Sequence, residues 1–98
     1  MAYELDIWWD GWQPLYEEYV EKLISAGAEI YHVKEKYGGL RFETEDNDNP
    51  NQEEVWRLIS EAEDKSFKIC QDCGHAGKPQ KLGGWIRTVC LDCAKKYT

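Results

Sequence analysis

Four cysteines fall into two pairs, Cys70-Gln71-Asp72-Cys73 and Cys90-Leu91-Asp92-Cys93, with sixteen residues between them. Thiolates are soft donors that bind zinc in tetrahedral sets of four, and each Cys-x-x-Cys pair makes a tight knuckle that offers two sulfurs to one ion. A spacer of this length lets the second knuckle return to the first. The pattern predicts one structural zinc ion held by Cys70, Cys73, Cys90 and Cys93. Four protein ligands complete the tetrahedron, whereas a catalytic zinc keeps one position open for water or substrate. Gly74, directly after the first pair, suits the positive φ that a knuckle often needs.

Other chemistries fit less well. The nucleobase-deaminase signature also joins Cys-x-x-Cys to a histidine and a glutamate. Here His32 and Glu35 have two residues between them where that signature has one, and Ile69 stands before Cys70 where it has proline. A thioredoxin-like use of one pair needs a βαβ setting, which neither pair has. Neither a Ser/His/Asp set nor a phosphate-cradling glycine loop is evident, so the chain reads as a non-enzyme. His32 and His75 read as ordinary polar residues.

The elements that must position the cysteines can be read from periodicity. Gly83-Gly84 suits a hairpin turn, Trp85–Val89 a strand entering the second pair, and Leu91 to Tyr97 a short terminal helix, which favours a treble clef over a purely β zinc ribbon. Upstream, Leu15, Tyr16, Tyr19, Val20, Leu23 and Ile24 recur at helical spacing behind Pro14 and before Gly27, predicting a helix over about 13–26. Residues 29–37 and 40–45 alternate on either side of Gly38-Gly39, as in a β-hairpin whose core-facing residues are Tyr31, Val33, Leu40 and Phe42. A second helix begins near Pro50, with Asn49 as its cap and Gln52 as capping-box partner. Its buried stripe is Val55, Leu58, Ile59 and Ala62 with Trp56 beside it, its surface pairs are Glu53–Arg57 and Glu61–Lys65, and it ends near Asp64 to Ser66. The expected fold class is α+β: helix, β-hairpin and helix in an acidic body over 1–69, then a treble-clef or zinc-ribbon module over 70–98.

Charge separates the same two parts. Of the net −7, residues 1–69 carry −10, from 17 acidic and 7 basic side chains, and residues 70–98 carry +3. The body lacks the clustered Lys and Arg that nucleic-acid binding requires and better complements a basic protein surface. Lys78, Lys81, Arg87, Lys95 and Lys96 are expected around a four-thiolate zinc site of net charge −2, and their functional alternative is a small nucleic-acid patch. Trp8, Trp9 and Trp12 read as packing under the first helix rather than as an exposed partner anchor. Glu43, Glu45, Asp46 and Asp48 read as a solvated loop, with imitation of a phosphate backbone as the functional alternative. The chain has neither an apolar run of bilayer length nor a basic signal-peptide start, so a cytoplasmic, membrane-free protein with reduced thiols is expected.

Val33 to Phe42, the acidic stretch Glu61 to Phe67, Cys70 to Cys73 and Gly83 to Cys93 together resemble a family of short phage and prophage proteins. In that family a Val-Lys-Glu-Lys-(Phe/Tyr)-Gly-Gly-Leu-Arg-Phe segment precedes a four-cysteine module containing Gly-Gly-Trp-(Ile/Leu)-Arg-Thr. The likeness covers about two thirds of the chain. With its size and acidity, the chain looks like the zinc-containing anti-CRISPR proteins that act on type II effector nucleases. The resemblance implies a non-enzymatic anti-defence inhibitor that binds a CRISPR effector nuclease and blocks DNA loading or cleavage. The alternative is a nucleic-acid-binding zinc-ribbon protein such as a phage transcription regulator.

Overall fold

The computed structural model of the chain describes residues 9–45 and 48–97. A 3-10 turn at Asp10–Trp12 leads into α1, Gln13–Ser25, with Pro14 in its first turn. Leu15, Tyr16, Tyr19 and Leu23 are buried, Val20 is half-buried, and Ile24 at the edge of the stripe is exposed. The helix stops at Gly27 for a backbone reason. At φ +89°, Gly27 donates to the Ile24 carbonyl at 2.9 Å while the Ala28 N–H donates to Leu23, also at 2.9 Å. The left-handed turn at a residue without a Cβ thus directs two further N–H groups back at the last carbonyls of the helix.

β1, Ile30–Lys36, pairs antiparallel with β2, Gly39–Thr44. Two details differ from the sequence expectation. The turn residues are Tyr37 and Gly38, at φ +53° and +84°, and Gly39 belongs to β2. Gly39 is needed for packing, since a Cβ there would lie 2.7 Å from the Phe67 ring. The turn therefore moves one residue back and forces Tyr37 into the left-handed region. The inward face also changes: Leu40 and Phe42 are buried and Val33 half-buried, but Tyr31 is 56% exposed while Ile30 is buried. A register shift between Ile30 and His32 leaves Tyr31 without a partner and inverts the alternation, so Ile30 and Val33 both point inward.

α2, Gln52–Ser66, buries Val55, Leu58, Ala62 and Ser66 against α1 and β2, with Ile59 half-buried. Trp56, expected beside this stripe, is largely exposed. Asn49 does not cap α2: its amide donates to the Ala26 carbonyl at the end of α1 at 2.9 Å, and its Oδ1 accepts from the Asn51 N–H. No side chain caps α2, and Gln52 has no capping-box role. Arg57 pairs with Glu54 and Glu61 rather than with Glu53, whereas Lys65 and Glu61 approach to 3.7 Å as expected. Tyr16 and Phe42 stack at 5.9 Å, and Trp12, fully buried, lies in the same core.

The C-terminal region comprises β3, Lys78–Leu82, β4, Trp85–Val89, and α3, Leu91–Ala94, which runs on into a 3-10 turn at Lys95–Tyr97. β3 and β4 form a second two-stranded sheet, with Gly83 and Gly84 in the expected hairpin turn, both at positive φ. Cys70, Val89, Cys93 and Ala94 make a second small core. Directed hydrogen bonds join it to the first. The Trp12 indole donates to the Ile69 carbonyl at 2.9 Å, the Gly11 N–H to the Gln71 carbonyl at 2.9 Å, and the Thr88 hydroxyl to the Gly38 carbonyl at 2.5 Å. Among the described residues no helix is long and apolar enough to cross a membrane.

Candidate metal centre and its surroundings

The sequence separates the two cysteine pairs, and the fold brings them together. Cys70 follows α2 through a short bridge between Ile69 and Ala76. Its N–H donates to the His75 carbonyl at 2.7 Å and its carbonyl accepts from Gly74 at 2.9 Å, closing a tight knuckle around Cys73. Gly74 has the positive φ, +84°, expected of it. β3 and β4 then return the chain, so that Cys90 caps α3 and Cys93 lies in its first turn, with the Cys93 N–H directed at the Cys90 sulfur.

All four sulfurs lie within 4.8 Å of one another, and Cys73 and Cys90 Sγ are 3.6 Å apart. Four thiolates about 2.3 Å from a shared zinc stand about 3.8 Å from each other. The set therefore fits one tetrahedral soft-metal ion, with thiols free of disulfides. Among the described residues the clustered ligand set contains no carboxylate of the kind calcium or magnesium would favour.

Electrostatics favour an ion there. Burial pushes the Cys70 thiol up, but backbone N–H groups of Cys73, Cys90 and Asp72 directed at its sulfur outweigh that and bring it down to about 7. Cys93 is pushed up to about 12 by burial and by the neighbouring sulfurs of Cys90, Cys70 and Cys73. Cys73 is drawn down by the His75 N–H yet ends above its ordinary value, because burial and the sulfurs of Cys70 and Cys90 prevail. One thiolate is welcome, and further ones repel it. A divalent cation removes that repulsion and lets all four ionise.

Several surrounding residues carry little signal in the sequence. Gln71, inside the first pair, is buried: its N–H donates to the Thr88 carbonyl at 2.8 Å and its side-chain oxygen accepts from the Thr88 N–H at 3.1 Å. The Tyr97 hydroxyl donates to Asp72 at 2.6 Å, which ties the 3-10 turn after α3 to the knuckle and holds the phenol up at about 12. His75 Nδ1 lies 3.3 Å from the Cys73 sulfur, beside the ligand set and not within it. A carboxylate inside a Cys-x-x-Cys and a tyrosine four residues after the second pair were the only hints in sequence.

The other expected residues are dispersed. Of the five basic residues near the cysteines, Arg87 stacks on the Tyr97 ring at 4.4 Å and Lys95 is 3.7 Å from Asp92. Lys81 pairs with Ile86 and Arg87 with Gln80, so register places Lys81 and Arg87 on opposite faces of the hairpin. Trp12 is buried and Trp9 half-buried against the core, as expected of packing residues, and Trp8 lies outside the described residues. In the acidic stretch Glu43 pairs with Lys34 at 3.1 Å, and Asp46 lies outside the described residues. Comparison with models of protein families, with curated proteins and with solved structures gives no match in any of the three.

Proposed function

We propose that the chain is a non-enzymatic, zinc-stapled binding protein whose acidic helical face docks on a basic protein surface. The observation that carries this is the groove between α1 and α2, about 730 Å³, with Glu18, Glu21, Glu54 and Glu61 on its walls against Lys22 and Arg57. Both cations are already held, Lys22 by Glu18 and Arg57 by Glu54 and Glu61. The surplus is negative and presented by two rigid helices, which suits steering toward a cationic partner. Zinc is the metal that best suits four thiolates, and knuckle, hairpin and short helix in that order support a treble clef. With every ligand position supplied by cysteine, the ion's role is to hold the C-terminal region in shape.

The resemblance to phage proteins makes the partner concrete: a type II CRISPR effector nuclease, bound so that DNA loading or cleavage is blocked in the host cytoplasm. The test is to mix the zinc-loaded protein with a panel of effector nucleases and measure DNA binding and cleavage. Inhibition that is lost in a Glu21→Lys/Glu54→Lys variant is expected. Unchanged activity across the panel removes the nuclease, and inhibition indifferent to the charge reversal removes the acidic face.

A further inference from the structure

The tips of the two hairpins face each other across a cleft of about 600 Å³, lined by Lys34, Lys36 and Tyr37 from the first and by Lys81, Trp85 and Ile86 from the second. Glu35 is the one acidic residue on its wall, and its carboxylate is engaged by the Gly38 N–H at 2.6 Å inside the turn. Lys34 is held by Glu43 at 3.1 Å, which leaves Lys36 and Lys81 against Glu35 and makes this cleft net positive on a chain of net charge −7. Both rings at its mouth, Tyr37 and Trp85, are 69% exposed. The Lys36 ammonium lies 5.9 Å from the centre of the Tyr37 ring.

Tyr37 is also the only non-glycine residue with positive φ among the described residues, at +53°. A tyrosine held there costs about 1–2 kcal/mol relative to glycine, and asparagine tolerates it better. The packing of Gly39 on Phe67 accounts for the conformation but not for a tyrosine in it, and a ring that contributes almost nothing to burial points to a role outside folding.

From these observations we propose that the cleft binds single-stranded nucleic acid, with bases stacked on Tyr37 and Trp85 and the phosphate backbone running past Lys36 and Lys81. Single strands expose the π-faces that aromatic platforms use, and alternating rings and ammonium groups are the elements such sites combine. An acidic peptide would meet the lysines but leave both rings unused. The volume lies within the roughly 300–1,000 Å³ of ligand pockets, enough for a short run of nucleotides. The remainder of the molecule is acidic, so this site favours short, local contact over wrapping. It lies apart from the α1–α2 groove, and either surface can fail without the other.

Fluorescence anisotropy of labelled twelve-nucleotide oligo-dT and oligo-rU at low salt tests the assignment, the two arms separating DNA from RNA. Binding is expected to weaken as salt rises, and Trp85→Ala to weaken it about tenfold or more. Lys81→Glu should weaken it too, while Trp56→Ala, beside Tyr31 and Thr44 and outside the cleft, should not. Tyr37→Asn is the discriminating variant: it should raise thermal stability while weakening binding, a pairing that a purely structural tyrosine cannot give. No binding of either oligonucleotide at low salt, equal binding by Trp85→Ala, or tighter binding of a poly-glutamate peptide or a duplex than of a single strand would overturn the proposal.

Discussion

Replacing Gly11 by alanine separates local propensity from tertiary packing, because the two predict opposite signs. Gly11 sits in the 3-10 turn before α1, where alanine is favoured over glycine by up to about 1 kcal/mol. The structure gives the contrary expectation. A Cβ on Gly11 would lie 2.0 Å from the Cys70 carbonyl oxygen, 2.5 Å from the Gly74 nitrogen and 2.8 Å from the Gln71 carbonyl carbon. All three are backbone atoms of the first knuckle, so no side chain can swing aside. Separating them costs about 3 kcal/mol for overpacking and about 1 kcal/mol for the Gly11–Gln71 hydrogen bond. After the propensity gain, a net loss of about 3 kcal/mol remains, a fall in Tm of about 12–24 °C for a domain of this size. The assay is thermal unfolding of the zinc-loaded protein followed by circular dichroism, with zinc release to a chelator in parallel. Gly83→Ala is the control: its Cβ meets nothing within 4 Å, and its φ of +59° leaves only conformational strain, about 1–2 kcal/mol. A Gly11→Ala protein as stable as the wild type, or more so, would refute the close packing of the N-terminal turn on the knuckle.

Elemental analysis of reduced protein should return one zinc per chain, and a strong chelator should raise amide exchange across 70–97, where the small core of Val89 and Ala94 cannot hold the segment alone. Cys93→Ser should release zinc at chelator concentrations that the wild type withstands. Thr88→Val keeps the shape but leaves the buried Gly38 carbonyl without its donor, which should cost about 1–3 kcal/mol in urea unfolding. In acid, Glu18, Glu54 and Glu61 matter: hydrogen bonds from Lys22, Arg57 and Tyr19 respectively hold them below the ordinary 4.5. Their contribution is complete above that value and is lost as pH falls through the lowered ones, so Tm should drop below about pH 4.5 and the drop should be shallower in Glu61→Gln.

What could be read from sequence was what depends on near neighbours. The stripe from Leu15 to Leu23, the stop at Gly27, the strand before Cys90 and the grouping of the four cysteines all follow from spacing within a few turns or strands. The failures share a cause, a distant residue deciding a local outcome. Phe67 occupies the space beside Gly39 and so shifts a turn, and the end of α1 takes Asn49 away from α2. The bulge at Tyr31 left no mark in a strand whose alternation was already loose. Buried polar residues were the least legible, because Ser66, Gln71 and Thr88 look like surface residues until their partners Leu40, Thr88 and Gly38 are in place.

The bond from Gly11 to Gln71 spans sixty residues, and with Trp12 to Ile69 it fastens the start of the described chain to the edge of the metal-binding segment. Synthesis runs in the opposite sense to this dependence. A nascent chain can wind α1 and close the first hairpin early, yet the Trp12 indole has no carbonyl to meet until the first knuckle emerges, and that knuckle has no second pair of sulfurs until β4 and α3 have followed it. Capture of the ion and docking of the Asp10–Trp12 turn thus both wait on the segment from Ile69 to Cys93, and a cell short of zinc would accumulate chains in which turn and knuckle are open together.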